Sequence, residues 1–198
     1  ALLDPHDPKV ITAARANGRF DELRARAQKL DGISGFLERY VGGCKDPAEM
    51  GTCLQNANAV RSQFQGKTLL VTVNESASFM KAETVDGQFR IFLTPFIDGG
   101  GYALTHGAPK KLDGAGNPLI DFIVLTGNMP DGVGDMEFRA AFRTGNVALE
   151  LIFQPQGGWR IKRPGASADD VMEGVRAKFV GVRLVNRRTG AEIATKTL

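Results

Sequence analysis

The sequence is poor in the side chains that most often carry catalysis and metal binding. Among 198 residues there are two histidines, two cysteines and one tryptophan. Histidine-dependent proton transfer could use only His6 or His106, and a zinc site would need soft ligands beyond the two cysteines. We therefore predict no zinc site and no cofactor, and we assign no catalytic residue.

Long apolar runs and recognisable ligand motifs are absent as well. No apolar run approaches the roughly 18 residues that a membrane-spanning helix needs. The glycines at 99–101 lack the lysine and hydroxyl residues that complete a phosphate-binding loop, and there is no G-x-S-x-G nucleophile motif. These absences predict a chain without a transmembrane segment, and they leave it without a motif that identifies a family.

The composition is that of a folded protein. Hydrophobic residues make up 42% of the chain and charged residues 24%, close to the usage of globular domains. This balance predicts a real core and argues against disorder. The length of 198 residues fits one ordinary domain, or one domain with a helical extension.

The net charge of +3 is small but unevenly distributed. From residue 137 to the end, eleven lysines and arginines stand against six acidic residues. On strands, their near-even spacing would place several cations on one face, as in single-strand nucleic-acid binders. The aromatic residues of the same segments mostly fall on the opposite alternation, which indicates a core. A nucleic-acid partner is therefore disfavoured.

Cys44 and Cys53 form the one local cysteine cluster. An even count at this spacing predicts a structural disulfide in an oxidising compartment, and two inert buried thiols are the alternative. The first residue is Ala1, which is typical of a mature end left by signal-peptide cleavage, although an arbitrary boundary would look the same. The sequence thus predicts a secreted or periplasmic protein.

Helical spacing dominates the first third of the chain. Apolar residues recur at helical intervals over 8–16, 20–30 and 33–41, and each stretch is closed by a glycine. The clearest start signal is Asp46, Pro47 and Glu49, which together form a capping box before an amphipathic helix that ends near Gly66. We predict a helical N-terminal subdomain over 1–66.

Alternating strands separated by glycine-rich turns, one of them at 154–158, fill the remainder, with a long connection at 98–118 and a short helix at 167–174. Antiparallel pairing would curl this sheet into a barrel or sandwich, and an OB-like or a lipocalin-like barrel would satisfy the pattern. The fold prediction is α+β, with the helical segment packed on an antiparallel β-rich domain over 67–198. The predicted strands are 67–73, 87–94, 119–125, 136–142, 147–153, 158–162, 175–186 and 192–197.

Two kinds of function are compatible with these patterns. The first is a non-enzymatic binding or interaction protein whose ligand is a small apolar molecule or another protein, and this interpretation is favoured. The second is a hydrolase-like or metal-dependent enzyme that uses the loops at 98–135, with His106 as general base. Carboxylates on glycine-rich turns are also weak candidates for calcium ligands, namely Asp98, Asp113, Asp131 and Asp135.

Overall fold

The computed structural model describes residues 18–42, 47–74, 80–93, 96–97, 102–109, 111, 123–129, 134–143, 147–162, 171–187 and 192–198. Within these ranges the helices are α1 (Gly18–Arg26), α2 (Ile33–Val41), α3 (Met50–Phe64) and α4 (Asp135–Arg143), with a 3-10 turn over Pro47–Glu49 before α3. No helix in the described ranges has the length and apolar character needed to cross a membrane.

The strands form a large curled sheet and a small three-stranded sheet. The large sheet has the order β1-β2-β8-β9-β6-β5, with β10 also pairing with β9, and the small sheet has the order β3-β4-β7. The strands are β1 (Gln28–Lys29), β2 (Leu69–Val73), β3 (Met80–Val85), β4 (Gln88–Leu93), β5 (Phe96–Ile97), β6 (Tyr102–His106), β7 (Ile123–Asn128), β8 (Val147–Lys162), β9 (Val171–Asn186) and β10 (Glu192–Thr197).

The predicted α+β class is confirmed, with helices packed on a barrel-like β structure. Most strand pairs are antiparallel, as predicted, but β1 pairs with β2 and β6 pairs with β9 in parallel. Parallel strands need a crossover connection between them. Helices α2 and α3 lie between β1 and β2 in the chain, and β7, α4 and β8 lie between β6 and β9.

The concave face of the large sheet is filled by α2. The Phe36 ring lies 5.3 Å from the Phe64 ring and 5.6 Å from the Phe153 ring, measured between centroids. Leu37 is fully buried in the same core. Helix α2 ends at Gly42, which adopts the left-handed conformation (φ 71°) and donates its N–H to the Glu38 carbonyl.

Helix α1 covers part of the opposite face of the large sheet. Phe20 is fully buried there against Leu70 and Ile152. Gly181 of β9 makes room for this ring, because a Cβ at that position would lie 2.9 Å from Phe20 Cδ2. The inner part of the sheet is therefore covered on both faces.

The small sheet shares the main core. Phe89 on β4 lies 5.2 Å from Phe138 on α4 between ring centroids, and both side chains are fully buried. Lys196 of β10 donates to the Val124 carbonyl of β7 at 3.0 Å, which links the two sheets.

Three predicted elements differ from the structure. The predicted strand at 136–142 is helix α4, since Phe138 and Phe142 lie one helical turn apart as well as on one strand alternation. The predicted helix at 167–174 is wrong over 171–174, which begin β9. The predicted turn at 154–158 is a bulged part of one continuous β8.

The long connection predicted at 98–118 contains a strand, β6. The division of the chain at residue 66 stays a prediction. Phe36, Leu37 and Phe64 from the helical segment belong to the same buried core as Leu149 and Leu151 from β8.

Candidate functional site

Strand β8 has an open edge along its second half. β9 pairs with β8 over its whole length, whereas β2 pairs only with the five residues 149–153. In the part of the chain that the structure describes, no strand lies on the β2 side of residues 157–162. An unpaired edge of this kind offers backbone hydrogen bonds to another extended chain.

The hydrogen-bond pattern shows which backbone groups face this edge. Gly107 donates to the Ala177 carbonyl at 3.0 Å, so Ala177 of β9 faces β6. Strand residues alternate in direction, so Arg176 and Gly174 face β8. Trp159, the partner of Gly174, faces β9, whereas the backbone of Gly157, inside a bulge, is hydrogen-bonded to Tyr40. The residues of β8 whose N–H and C=O groups point to the open edge are Gly158, Arg160 and Lys162.

The open edge starts at a bulge next to the beginning of β2. Register shifts between Pro155 and Gly157 of β8, where Gly157 has φ 132°. The first residue of β2, Leu69, pairs with Phe153, and Gln154 donates to the Thr68 hydroxyl at 3.0 Å. The chain before Thr68 turns away into α3, so β2 cannot extend along the rest of β8.

Two arginines lie against the strand at this bulge. A Cβ placed on Gly158 would lie 3.2 Å from Arg61 Nη2, and one placed on Gly157 would lie 3.6 Å from Arg176 Nη2. Both guanidiniums therefore lie beside the two glycines of the bulge. Among the described residues, neither arginine forms an ion pair with a carboxylate.

Backbone carbonyls hold both guanidiniums in place. Arg61 donates through Nε to the Tyr40 carbonyl at 2.9 Å and through Nη2 to the Val41 carbonyl at 3.5 Å, which satisfies the end of α2. Arg176 donates through Nη2 to the Gln156 carbonyl at 2.9 Å. Each guanidinium has five N–H groups, so each retains donors for a further acceptor.

Tyr40 lies beneath Arg61, whose Cζ is 5.4 Å from the ring centroid. Burial raises the pKa of Tyr40, while Arg61, a hydrogen bond from the Gly157 backbone and Arg176 act in the opposite direction. The hydroxyl is therefore neutral near pH 7 and links α2 to the bulge of β8 without adding negative charge beside the two arginines.

A small apolar cluster covers the outer face behind the open edge. Trp159 lies over Gly174, where a Cβ would come 2.4 Å from Trp159 Cζ2, and its indole N–H donates to Thr105 Oγ1 at 3.0 Å. Met172 and Ala103 are buried in this cluster, and Ile161 packs beside them. This packing holds the second half of the hairpin in shape while one of its edges is open.

His106 has a structural contact in the described part of the molecule. Its Nδ1 accepts a hydrogen bond from the Phe179 backbone N–H at 2.9 Å, in the gap that separates β6 from β10 along β9. Burial, followed by repulsion from Lys178, lowers the pKa of His106. The neutral ring carries its hydrogen on Nε2, so the exposed nitrogen is a donor, and this geometry does not favour a general base.

The predicted loop carboxylates fall mostly outside the described residues, where Asp98, Asp113 and Asp131 lie. Asp135 is the first residue of α4 and is exposed. Within the described ranges, no group of three or more His, Cys, Asp and Glu side chains could hold a metal ion. The weak calcium hypothesis and the enzyme alternative stay predictions.

Cys53 lies in α3, at a groove between α2 and α3 that Arg39, Asn56 and Val60 also line. Cys44 is outside the described residues, so its predicted bridge to Cys53 stays a prediction. Cys53 is not a free thiol.

Sequence reasoning missed the open edge because it placed a turn at 154–158. The signal that could have found it is the even alternation of Trp159 and Ile161 with Arg160 and Lys162 directly after the buried run at 147–153. Proline and glycine at 155–158 mark a bulge as well as they mark a turn.

The elements together define an α+β protein in which a curled, mixed sheet packs around α2 and in which no described strand pairs with the second half of β8 on its β2 side. The chain belongs to a family of unknown function, DUF6066, whose model matches residues 2–196. No curated protein matches the chain, and no solved structure matches it.

Proposed function

We propose that this chain is a non-enzymatic binding protein that receives an extended segment of a partner protein as an added strand along the open edge of β8. The observation that carries the proposal is that β8 continues beyond the last residue paired with β2, so that Gly158, Arg160 and Lys162 face no described strand. Strand addition of this kind gives affinity through backbone hydrogen bonds.

Charge supports a partner other than a second copy of the chain. Lys162 is exposed, and Arg160, which forms an ion pair with Glu173 at 3.3 Å, has 66% of its side chain exposed. Two β8 edges placed side by side would bring these cations together, and edge cations are a common protection against self-pairing. A neutral or acidic segment meets no such repulsion.

The alternative of a small apolar ligand inside the barrel has less support. The described side chains on the concave face contact each other, with α2 inserted between the strands. The enzyme alternative is supported by no described cluster of acid–base residues. Strand addition is the function for which the described residues offer a specific, accessible set of groups.

The proposal includes a secreted or periplasmic location. Its support is the predicted disulfide, since Cys53 is not a free thiol and stable disulfides belong to oxidising compartments. Mass measurement after alkylation of the denatured, non-reduced protein tests the disulfide on which this location depends. We expect no alkylated cysteine, and two alkylated cysteines would contradict the bridge.

The test of strand addition is hydrogen exchange of the intact protein with and without a mixture of hexapeptides that alternate β-branched and polar residues. We expect the amides of Gly158, Arg160 and Lys162 to exchange fast in the free protein and slowly with peptide. The amides of Trp159 and Ile161 should be protected in both states, because they face β9.

A matched pair of variants isolates the backbone contact. Arg160→Pro removes an edge-facing N–H while leaving the ladder to β9 intact, whereas Arg160→Ala keeps the N–H. Peptide-dependent protection should be lost in the first variant and retained in the second. Loss in both variants, or edge amides already protected in the free protein, would overturn the proposal.

A further inference from the structure

We infer that the added strand ends at the bulge with a free C-terminal carboxylate, which Arg61 and Arg176 bind beside Gly158. This inference rests on the proposed function and specifies its ligand. It depends on three observations: where the open edge stops, which direction an added strand must run, and which charges meet its end.

The edge stops abruptly at the start of β2. Leu69 pairs with Phe153, Thr68 contacts Gln154, and Lys67 donates its backbone N–H to the Phe64 carbonyl at the end of α3. An added strand lying in line with β2 would therefore meet the α3–β2 connection after Gly158. A chain that terminates there fits without a clash, whereas a continuing chain would have to bend out of the sheet.

Direction follows from the pairing already present on this edge. β2 runs antiparallel to β8, and an added strand that runs antiparallel as well has its C-terminus at Gly158 and its N-terminus toward Lys162. A parallel strand would instead bring its N-terminus to Gly158. Its ammonium group would then face two guanidiniums, which disfavours that orientation.

The two guanidiniums supply the charge that a carboxylate needs. Their Nη2 atoms lie 3.2 Å and 3.6 Å from the Cβ positions of Gly158 and Gly157, so both are within reach of a group at the end of the edge. Guanidinium–carboxylate hydrogen bonds are among the stronger ones in proteins. Tyr40, neutral and buried, stabilises Arg61 from below without competing for it.

Glycine at positions 157 and 158 keeps the site open. Side chains at either position would occupy the space between the backbone and an arginine, and Gly157 has a positive φ that other residues rarely adopt. The same two glycines leave the backbone accessible to a carboxylate, as in other backbone sites that capture a chain terminus.

The test compares one acetylated hexapeptide of alternating threonine and valine with its C-terminal amide, which lacks the negative charge. Titration calorimetry should give an affinity at least about tenfold higher for the free carboxylate, the size expected for one charged hydrogen-bonded contact. A third peptide, an amide with glutamate at an internal position, separates a terminal carboxylate from an acidic side chain.

Variants assign the preference to the two arginines. Arg176→Gln and Arg61→Lys should each reduce the ratio of carboxylate to amide affinity while leaving the amide peptide's affinity unchanged, which also shows that the edge is folded. Arg90→Gln, an exposed change on β4 in the small sheet, should alter neither value.

The outcomes separate the two proposals. Equal binding of acid and amide peptides with protection of the edge amides would overturn the terminal-carboxylate inference and leave strand addition standing. A gain in affinity from the internal glutamate equal to that from the terminus would also overturn it. Failure of all three peptides to protect the edge would overturn strand addition itself.

Discussion

The two halves of the β8–β9 hairpin are built from the same pair of strands and have opposite surroundings. In the first half, β2 and β10 lie on the two edges, and α1 covers the outer face. In the second half, β6 covers the β9 edge, a few side chains around Trp159 cover the outer face, and no strand of the described ranges pairs with the β8 edge. Burial along β8 changes accordingly, from continuous over 147–153 to alternating over 156–162.

The contrast shows how one long hairpin can combine stability with an accessible backbone. Continuous burial in the first half anchors both strands, so the second half keeps its strand geometry without a partner on β8. An isolated hairpin is marginally stable in water, whereas an extension of an anchored one needs only a small cluster of its own. Substitutions confined to one half test this division.

The largest effect is expected at Glu150, which fixes α1 to the first half. Glu150 is 7% exposed and accepts hydrogen bonds from Arg24 at 2.6 Å and from Arg183 at 3.1 Å and 3.0 Å. Glu150→Ala should reduce the free energy of unfolding by about 2–3 kcal/mol. The reason is that Arg183, whose side chain is 17% exposed, loses its two hydrogen bonds to the Glu150 carboxylate. Urea denaturation measures this change.

The control for Glu150 is Glu83→Ala on the small sheet, where the ion pair with Lys81 is exposed. Such pairs contribute less than about 1 kcal/mol, so little change is expected. Equal losses in the two variants would contradict the special role of the α1 contact in the first half.

A smaller effect is expected from Gly174→Ala, which acts on the second half. The new Cβ would lie 2.4 Å from Trp159 Cζ2 and 2.3 Å from the Ala103 carbonyl oxygen, so the cluster must shift. We expect a loss of about 1–3 kcal/mol, typical of overpacking. Faster hydrogen exchange should be confined to 157–162 and 171–177.

Gly35→Ala is the matched control, because nothing lies within 4 Å of a Cβ at this helical position. Here the replacement should stabilise the protein by about 0.5–1 kcal/mol through the lower conformational entropy of the unfolded chain. If Gly174→Ala gave a similar gain, the described packing of Trp159 over Gly174 would be wrong.

The smallest effect is expected at His106, which lies where the two halves meet. Because burial and Lys178 hold the pKa of His106 below its ordinary value in the folded chain, the unfolded chain binds a proton first as the pH falls. Its contribution to stability is complete above the ordinary histidine pKa and is lost on acidification through the lowered one.

Unfolding free energies measured between about pH 8 and pH 5 test this prediction. Wild-type protein should lose more stability over this range than His106→Asn, whose side-chain carbonyl oxygen lies at the position of Nδ1, can accept the Phe179 N–H and does not titrate. Parallel pH profiles of the two proteins would contradict the assignment.

The helices of the first third could be predicted because their signals are local. Gly42 closes α2 with a left-handed residue, and the apolar spacing over α3 leads to the buried Ala57 and Phe64. Phe138 and Phe142 of α4 led to the wrong prediction of a strand, because a spacing of four residues fits both one helical face and one strand face. Packing against β4, through Phe89, selects the helix.

The candidate site could not be predicted, because its main feature is where another strand ends. The residues around Arg160 and Lys162 carry no signal that the pairing of β2 with β8 ends at Phe153. The end of this pairing depends on the turn at Gly66 (φ 72°), which follows α3. Arg61 and Arg176 are 115 positions apart in the sequence and come together only at the bulge.

Trp159 gives this arrangement an optical consequence. It is the one tryptophan of the chain, and it lies in the second half of the hairpin, adjacent in sequence to an edge-facing residue. The intrinsic fluorescence of the whole protein is therefore a signal from that half, whereas far-ultraviolet circular dichroism averages over all elements. If the second half opens before the first, the fluorescence transition precedes the dichroism transition during unfolding, and the two curves give the difference in stability between the halves without any added label.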